Sequence, residues 1–519
     1  MHSIEIKPLI QQLAHIYEAM VKAEADHREW LDRVHPHFAE SARNLIHYLA
    51  LRTFDLRDIQ WQLSSLGLSS IGHSERYSLV NLRNILHVLY LLDGRPASEL
   101  TSGGLTFTLD YPKSKKQLER NTNLIFGQEL FPGQTRIMVT LPSEAADRPE
   151  LVQELIAAGM NIARINCSHD GPESWQRMIQ HVREASKNSP HHCLIYMDLE
   201  GPKLRTGFIP HRISKKGNEK RGYILLRKGD YLDLVADPAA VTVPDFDKAG
   251  KLIHPGAVAV TLPSIFDDIK SGESIWFDDG KMGGVIESVA STRATIRITS
   301  ASDSGEKLYA EKGINLPDSR LSLPALSQED IHNLNIIAAQ ADMVGYSFVR
   351  RPEEVAQLQA ELKQLGREDI GIILKIETRE TFDNLPQLLL TAMRSPHVGV
   401  MIARGDLAVE LGFLRIAEVQ EQIMWLCEAA HIPAIWATQI LETLAKTGRA
   451  TRAEISDAVL SVRAEAAMLN KGPYIVEAVK TLRDIDSRMA PHQLKKKSAL
   501  RPLNVARIFI HPDTKILAT

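Results

Sequence analysis

Apolar residues recur every three or four positions over the first 125 residues, which is the spacing along one face of an amphipathic helix. Gly67 separates two of these predicted helices, and the segment around it has no basic face of the kind that a DNA-binding helix-turn-helix presents. The pattern therefore predicts an N-terminal domain of packed helices over residues 1–125. Its apolar stripes comprise Leu9, Leu13, Ile16 and Met20, then Leu45, Tyr48 and Leu49, and later Leu82, Ile85, Leu86 and Leu89.

The pattern changes at Thr135, where short apolar runs begin to alternate with amphipathic segments. TRIMVTL, NIARINC and CLIYMDL are typical of strands, and PELVQELIAA is typical of a helix that ends at Gly159. After Gly207 the helical segments stop, and strand-like runs such as ESIWFDDGKMGGVIESV and RATIRITSA follow one another with turn residues between them. We predict an inserted all-β domain over residues 208–312.

The alternation returns after the insertion, where Ser327 and Asp330 form a capping box at the start of a helix. Five further strand-like runs, from DMVGYSFV to AAMLN, bring the total to eight. Eight strands that alternate with helices suit a (β/α)8 TIM barrel, although an open doubly wound sheet fits the same pattern. The predicted fold is α/β, with the barrel over residues 126–207 and 313–490 and a C-terminal tail over 491–519.

The composition is that of a soluble globular protein, since 44% of the 519 residues are hydrophobic and 24% are charged. A net charge of -3 argues against a general nucleic-acid or membrane-surface binder, because such proteins carry a large positive excess. No run approaches the ~18 apolar residues of a membrane span, and the first residues lack the features of a signal peptide. The three cysteines match no metal or disulfide spacing. We expect a cytoplasmic protein with no nucleic-acid or membrane partner.

Polar side chains follow six of the predicted barrel strands at the point where each strand ends. In a barrel of this kind the active-site groups stand at the carboxyl ends of the strands. Six such clusters in register are difficult to produce by chance, so we predict the active site there. In chain order the clusters are Arg164, Asn166 and Ser168; Asp198, Lys203 and Arg205; Ser347 and Arg350; Lys375 and Glu377; Arg404 and Asp406; and Thr438 and Gln439.

Lys375 and Glu377 are two residues apart on a predicted strand, so both side chains point into the barrel mouth. A structural ion pair explains these two residues equally well when they are taken alone. Glu377 and Asp406, which follows the next strand, together provide two carboxylates that can hold Mg²⁺. The cations at neighbouring strand ends suit a phosphorylated or carboxylated substrate. From the residues alone we expect a metal-assisted enzyme that acts on a small oxyanion.

Nine segments of the sequence agree, in order and spacing, with the motifs of one enzyme family. They are GMNIARINCSHD, MDLEGPKLRTG, FDDG, KGINLPDSRLSLPALSQEDI, DMVGYSFVR, LKIET, MIARGDLAVE, PAIWATQILET and TRAEISDAVL. These segments resemble the barrel and lid motifs of the pyruvate kinase family over about residues 133–485. The resemblance identifies the β-rich insertion with the family's mobile lid. It implies transfer of the phosphoryl group of phosphoenolpyruvate to ADP or another nucleoside diphosphate, which gives pyruvate and ATP.

The resemblance also implies a role for each matching residue. Glu377 and Asp406 would hold Mg²⁺ or Mn²⁺, and Lys375 would stabilise the phosphoryl group in flight. Arg164 would bind the phosphate, and the N–H groups around Gly405 and Asp406 would bind the carboxylate with the Thr438 hydroxyl. Protonation of the enolate would pass through Thr438 or a nearby water. We further expect Ser347 and Arg350 to bind substrate and Asn166, His169, Arg205, Lys312 and the lid residue Asp279 to face the nucleotide.

The cation region differs from the usual pattern of the family. K⁺ would be held at the equivalents of Asn166, Ser168, Asp198 and the Leu199 carbonyl. Members that need no K⁺ tend to carry lysine in place of a glutamate and leucine in place of a threonine, and this chain has both, Lys203 and Leu199. We therefore expect no K⁺ requirement, with the Lys203 ammonium as the substitute.

Three further departures concern the ends and the last strand. About thirty residues follow the barrel where the family has a large C-terminal domain, so we expect no activation by a sugar phosphate and at most a homodimer through barrel faces. The run MLNKGPYIVEAV stands where the family usually has a longer loop that contains SGET, so the family's contacts near the end of the eighth strand are not carried over to this chain. The N-terminal helices would either cover the surface that the C-terminal domain covers elsewhere, which we favour, or bind a partner.

Two alternative functions stay open at this point. A lyase or aldolase that uses a metal-stabilised enolate would need the same barrel site, although a lid that excludes water favours phosphoryl transfer. A non-catalytic regulator would need neither the lysine nor the carboxylates. Retention of Lys375, Glu377, Asp406 and Thr438 argues against such a regulator.

Overall fold

The structure, a computed structural model, describes residues 5–68, 71–96, 109–128, 134–187, 189, 192–213, 219–246, 252–254, 256–489 and 502–512. Within these ranges the chain forms N-terminal helices, a barrel of parallel strands and an inserted set of strands. No helix in this part of the chain combines the length and the apolar character needed to cross a membrane. The predicted tail over 491–519 lies outside the described residues except for 502–512.

The described residues before the barrel form six α-helices, as the apolar stripes predict. Their apolar faces pack together, and Leu13, Leu45 and Leu89 are fully buried. Most of the stability of such helices comes from this packing, since short isolated helices are marginal in water. The helices are α1 (Ile6–Asp26), α2 (Arg28–Leu31), α3 (Ala39–Leu51), α4 (Arg57–Ser65), α5 (Ser78–Leu92) and α6 (Tyr111–Phe126).

The first half of the barrel alternates strands and helices. Pro149 starts one helix, where the missing N–H of proline is not needed, and Gly159 ends it with φ of 115°, which side-chain-bearing residues rarely adopt. The first two strands are buried over almost their whole length, because one face meets helices and the other meets the barrel interior. The elements are β1 (Arg136–Thr140), α7 (Pro149–Ala158), β2 (Met160–Asn166), α8 (Pro172–Lys187) and β3 (Leu194–Asp198).

The insertion after β3 consists, over its described residues, of strands and short 3-10 turns. Its strands are β4 (Arg212–Ile213), β5 (Glu219–Lys220), β6 (Ile224–Leu226), β7 (Tyr231–Val235), β8 (Asp245–Phe246), β9 (Leu252–His254), β10 (Gly256–Ala259), β11 (Ser274–Phe277), β12 (Met282–Ala290), β13 (Arg293–Ser300), β14 (Glu306–Leu308) and β15 (Ile314–Asn315). Six of them form a sheet in the order β10-β7-β13-β12-β11-β15. This part, called the lid below, has its own hydrophobic core, in which Phe277 and Ile296 are fully buried.

The second half of the barrel begins at the predicted capping box, where Ser327 Oγ accepts the N–H of Asp330 at 3.0 Å. The elements are α9 (Gln328–Gln340), β16 (Met343–Tyr346), α10 (Pro352–Gln364), β17 (Gly371–Ile376), α11 (Arg379–Asp383), α12 (Leu385–Ala392), β18 (Val398–Ala403), α13 (Arg404–Leu411), α14 (Ile416–Ala429), β19 (Ala434–Ala437), α15 (Glu442–Thr447), α16 (Arg452–Ser461), β20 (Ala466–Leu469), α17 (Ile475–Met489) and α18 (Asn504–Ile510).

The barrel closes because β1 pairs with both β2 and β20, all in parallel. The strands follow the order β1-β2-β3-β16-β17-β18-β19-β20 around the ring. Closure excludes the open doubly wound sheet and confirms the TIM barrel prediction. All eight strands therefore present their carboxyl ends at one mouth, where the polar clusters meet.

The end of α6 fills the opposite, amino-terminal mouth of the barrel. Ile125 and Phe126 are buried against interior side chains of the strands. Two strands carry glycine where this helix approaches: a Cβ on Gly371 would lie 3.1 Å from Ile125 Cγ1, and one on Gly399 would lie 3.4 Å from Phe126 Cζ. The last N-terminal helix thus forms the floor of the barrel.

His431, which precedes β19, contacts α3, the 3-10 turn at Glu75–Tyr77 and α6. Its Nδ1 lies 3.1 Å from Ser41 Oγ, its Nε2 lies 2.9 Å from the Arg76 carbonyl, and its own carbonyl accepts Asn121 Nδ2 at 2.6 Å. Burial lowers the pKa of His431 to about 4, so the imidazole is neutral at physiological pH. These contacts join the helices to the barrel. It stays a prediction that the N-terminal helices cover the surface that the C-terminal domain covers in other members of the family.

We predict that Phe126→Ala destabilises the protein by about 3–5 kcal/mol, because it leaves a cavity in the barrel floor. Leu124→Ala is the matched control, since Leu124 lies on the same helix with 48% of its surface exposed. Urea unfolding followed by tryptophan fluorescence measures both. Equal, small effects of the two substitutions would show that α6 does not stabilise the barrel.

Candidate active site

The Lys375 ammonium lies at the carboxyl mouth of the barrel and contacts side chains from three strand ends. It donates to Ser347 Oγ at 2.7 Å and lies 3.2 Å from Asp198 Oδ2 and 3.0 Å from Glu377 Oε1. An ammonium has three N–H groups, so these three partners account for all of them. Burial alone would lower the pKa of Lys375, but the two carboxylates outweigh it and raise that pKa. The lysine is therefore a charged donor at neutral pH.

Asp198, at the end of β3, is fully buried and contacts two cations. Besides Lys375, Arg164 donates through Nε to Oδ2 at 3.1 Å, and the Tyr196 hydroxyl donates to Oδ1 at 2.9 Å. Gly345 on β16 makes room for this group, because a Cβ there would lie 1.9 Å from Tyr196 Oη and 2.3 Å from Asp198 Oδ1. Burial opposes ionisation, yet Lys375 and Arg164 hold the pKa of Asp198 below its usual value.

Glu377 and Asp406 provide two carboxylates from neighbouring strand ends. Burial and the charge of Asp406 raise the pKa of Glu377 against the effect of Lys375, and Glu377 Oε2 accepts the Phe348 N–H at 2.6 Å. Glu377 is buried and Asp406 is mostly buried, and two carboxylates that repel each other are the oxygen donors that a hard divalent cation prefers. Across the described residues, no group of three or more His, Cys, Asp or Glu side chains is placed to hold a metal ion. The pair fits Mg²⁺ or Mn²⁺ that takes its other ligands from substrate and water.

Lys203 contacts one of these carboxylates directly. Its Nζ lies 3.0 Å from Asp406 Oδ1 and 3.2 Å from Asp406 Oδ2. Burial would raise the pKa of Asp406, but Lys203, then Lys375, and a hydrogen bond from Asn315 keep it below its usual value. The ammonium from the turn after β3 thus neutralises the carboxylate after β18.

The residues of the expected K⁺ region lie near Lys203 but make other contacts. Asn166 Oδ1 accepts the Ser168 N–H at 3.2 Å, and the Leu199 carbonyl accepts Ser347 Oγ at 2.6 Å. The Lys203 ammonium contacts Asp406 instead of these groups. All of them except the fully buried Asp198 line one cavity with Lys203.

Thr438 joins the loop after β19 to the start of α13. Its Oγ1 accepts the Gly405 N–H at 3.1 Å, and its carbonyl accepts the buried Arg404 guanidinium, which also pairs with Asp457 at 2.6 Å. Thr438 has φ of 64°, a strained conformation that persists where the surrounding structure imposes it. Positive φ also occurs at Asp278, Asp279 and Phe348 beside the same cavity.

A cavity of about 280 Å³ separates the barrel mouth from the lid. On the lid side, Asp278 holds two lysines, with Oδ1 2.8 Å from Lys312 Nζ and Oδ2 2.8 Å from Lys281 Nζ. The predicted site residues that line the cavity are Arg164, Asn166, Ser168, His169, Leu199, Lys203, Arg205, Asp279, Lys312, Ser347, Lys375, Glu377, Gly405, Asp406 and Thr438.

Arg350 lies apart from this group. Its guanidinium donates to the Leu321 carbonyl at 2.7 Å and to Glu354 Oε1 at 2.9 Å, and it also contacts the Leu323 carbonyl. It borders a neighbouring cavity of about 440 Å³. These contacts tie the segment that follows the lid to the start of α10.

The central charges balance. Three cations, Arg164, Lys203 and Lys375, face three carboxylates, Asp198, Glu377 and Asp406. A divalent cation on the carboxylates would leave an excess of positive charge, which favours an anion in the cavity. The arrangement can thus bind a small multivalent anion and stabilise charge that develops on it.

Comparison with known proteins shows the family of this chain. The family model described as "Pyruvate kinase, barrel domain" matches residues 133–479, which is more than half of the chain. The chain belongs to the pyruvate kinase family. The matched residues include every strand of the barrel and the whole lid.

Three relatives are each described as a pyruvate kinase. The protein of Staphylococcus saprophyticus is 33% identical over 358 residues, that of Bacillus licheniformis is 32% identical over 361, and that of Staphylococcus aureus strain USA300 is 31% identical over 358. Each match covers 68% of this chain and 56–57% of the relative. The chain therefore matches a little over half the length of these pyruvate kinases.

The structure adds residues that sequence reasoning missed. Beside His169, a cavity of about 260 Å³ is lined by Lys446, Asn470 and Lys471, the last two directly after the eighth barrel strand. Burial, then the charges of Lys471 and Arg205, lowers the pKa of His169. The polar run Asn470–Lys471 directly after the eighth strand was the available signal.

Glu410 is a second group that the sequence did not indicate. It lies one turn after Asp406 on α13, and its Oε1 accepts Asn315 Nδ2 of the lid strand β15 at 3.0 Å. Burial, aided by the charge of Asp406, raises the pKa of Glu410 to about 7 from an ordinary 4.5. The lid is thus hydrogen-bonded to the helix that begins beside Asp406.

Because the folded state holds the Glu410 proton more tightly than the unfolded state, the free energy of unfolding falls as pH rises from about 4.5 to 7. Glu410→Gln keeps the acceptor oxygen and removes the ionisation. We predict that, in EDTA, this variant is more stable than the parent at pH 8 by up to roughly 3 kcal/mol, with the gain disappearing towards pH 5. Urea unfolding at both pH values measures the difference in the free energy of unfolding between variant and parent. Glu418→Gln, at a more exposed glutamate, is the control. A gain in stability that is independent of pH would contradict the prediction.

Proposed function

We propose that this chain transfers the phosphoryl group of phosphoenolpyruvate to ADP or another nucleoside diphosphate, which gives pyruvate and ATP. The observation that carries the proposal is the Lys375 ammonium, fixed between Ser347, Asp198 and Glu377 at the mouth of the barrel. Membership of the pyruvate kinase family supports it. In the reaction the bond from phosphorus to the enol oxygen breaks, and a bond from phosphorus to the terminal nucleotide oxygen forms.

Lys375 and Arg164 are the proposed donors to the phosphoryl group. Arg164 uses three of its five N–H groups on Asp198 and Thr140, so two remain for phosphate oxygens. The three N–H groups of Lys375 are all engaged, so a phosphoryl contact replaces one of its present partners. Fixed cations of this kind act mainly by electrostatic stabilisation of the transferring group.

Glu377 and Asp406 are the proposed ligands of Mg²⁺ or Mn²⁺. When bound there, the ion supplies positive charge for the substrate carboxylate and for the enolate oxygen. The Gly405 N–H and the Thr438 hydroxyl are the proposed donors to the carboxylate. The N–H is donated to Thr438 Oγ1 at 3.1 Å, so a bound carboxylate would replace or share this contact. Ser347 orients Lys375.

The enolate that is left after transfer needs a proton at carbon. The Thr438 hydroxyl, held beside Gly405, or a water next to it would deliver that proton. Lid residues Asp279 and Lys312 border the same cavity as Asn166, His169 and Arg205, which supports a nucleotide between lid and barrel. Closure of the lid would exclude water from the phosphoryl group. Arg350, bonded to Glu354 and to backbone carbonyls, would position the neighbouring loop.

We expect the parent protein to form pyruvate from phosphoenolpyruvate and ADP with Mg²⁺ or Mn²⁺. Pyruvate is measured through the oxidation of NADH by added lactate dehydrogenase. Lys375→Met should lower the rate by about 10²–10³ or more, because it removes a buried charged donor. Lys363→Met removes a lysine that is 72% exposed and should not change the rate. No pyruvate formation by the parent, or equal rates for parent and Lys375→Met, would contradict the proposal. In that case the next measurement would test the alternative reaction, carbon–carbon bond cleavage by a lyase or aldolase that uses a metal-stabilised enolate.

We also propose that the reaction needs no K⁺ and that the Lys203 ammonium supplies the missing charge. The rate of the parent should then be equal in K⁺ and in tetramethylammonium buffers. Lys203→Glu should lose activity and regain part of it on addition of K⁺, because a carboxylate next to the expected K⁺ region favours a bound cation. A parent that requires K⁺, or a Lys203→Glu variant that stays independent of K⁺, would overturn this role.

A homodimer through barrel faces stays a prediction.

A further inference from the structure

Lys203 binds the carboxylate that the metal would need. Its ammonium engages both oxygens of Asp406, at 3.0 and 3.2 Å, and both side chains are mostly buried. A carboxylate in this state has no oxygen without a cationic partner. A divalent ion can coordinate Asp406 only if the lysine moves away or shares an oxygen with it.

The surroundings direct Lys203 to this contact. Its stem passes over Gly313, where a Cβ would lie 3.2 Å from Lys203 Cε, and its Nζ lies 5.8 Å from the centre of the Phe348 ring, within cation–π range. The turn behind it is closed by a hydrogen bond from the Lys203 N–H to the Gly201 carbonyl at 2.9 Å. The ammonium is therefore held in place by backbone, aromatic ring and carboxylate together.

Charge balance explains why a cation is needed here. Lys375 contacts Asp198 and Glu377, so Asp406 would be the unbalanced member of the three carboxylates without Lys203. An unpaired carboxylate in a buried site destabilises the fold. Lys203 thus balances the charge of Asp406, and the same contact opposes coordination of Asp406 by a metal ion.

We propose that Lys203 is a resident counter-ion that competes with the divalent metal for Asp406, and that metal binding releases its ammonium towards the phosphoryl cavity. The proposal deepens the proposed function and rests on its assignment of Asp406 as a ligand. Lys203 lines the same cavity as Arg164 and Lys312, so the released ammonium can meet an anionic substrate there. Metal and substrate would then strengthen each other's binding, because each favours the released lysine.

The test measures Mn²⁺ binding without phosphoenolpyruvate or nucleotide, from the electron paramagnetic resonance signal of free Mn²⁺. Lys203→Met should bind Mn²⁺ about tenfold more tightly than the parent, because no cation has to be displaced from Asp406. Lys203→Arg, which can still pair with Asp406, should bind more weakly than Lys203→Met. Lys363→Met, an exposed lysine paired with Glu368, should match the parent and controls for net charge.

Mn²⁺ binding by Lys203→Met that is equal to or weaker than that of the parent would overturn the proposal. An equal gain in affinity in Lys203→Met and Lys363→Met would also overturn it, because the gain would then reflect net charge alone. Thermal unfolding supplies a second readout: in EDTA Lys203→Met should melt below the parent, and saturating Mn²⁺ should raise its melting temperature by more. If Lys203→Met does not fold, Lys203→Gln replaces it, since its amide can still donate to Asp406 without a charge.

The binding assay separates this proposal from the proposed function. Asp406→Asn should abolish the Mn²⁺ site, and unchanged binding in that variant would overturn both the ligand assignment and the role of Lys203. Tighter binding by Lys203→Met in a protein that forms no pyruvate would overturn phosphoryl transfer alone. A final comparison adds phosphoenolpyruvate, which should increase Mn²⁺ affinity more in the parent than in Lys203→Met; an equal increase in both would contradict release of the lysine.

Discussion

The three contacts of the Lys375 ammonium organise the mouth of the barrel. A buried ammonium is tolerated only with partners for all its N–H groups, and these come from the ends of β3, β16 and β17. Asp198, one of the partners, also binds Arg164 and Tyr196. The site is therefore a property of the closed ring of strands, because no single strand supplies the set.

Small residues make this network possible. Gly345 has no side chain because Tyr196 Oη and Asp198 Oδ1 fill the space where a Cβ would lie. Gly313 allows the stem of Lys203 to pass and reach Asp406. In both places the missing side chain leaves room for a charged or hydroxyl-bearing side chain from another part of the chain. The reason for glycine at these two positions is clear only when the neighbouring side chains in the folded chain are known.

The lid and the barrel meet through polar groups. Asn315 of the lid donates to the buried carboxyl of Glu410, one turn beyond Asp406, and Asp278 holds Lys312 at the cavity. On the opposite side, α6 fills the floor of the barrel with Ile125 and Phe126. Interactions at the floor are mainly apolar, whereas those at the mouth are mainly ionic.

Much of this protein is determined by sequence alone. The change from helical spacing to alternating strands and helices predicted the barrel, and the polar strand ends predicted Lys375, Glu377 and Asp406, because the period-two strand and the barrel mouth are local rules. Tertiary structure decided the partners of these side chains. Lys203 meets Asp406 across 203 positions of sequence, and Arg350 donates to the Leu321 carbonyl 29 positions before it, since contacts over such distances depend on closure of the ring and on rotamers that no local pattern specifies.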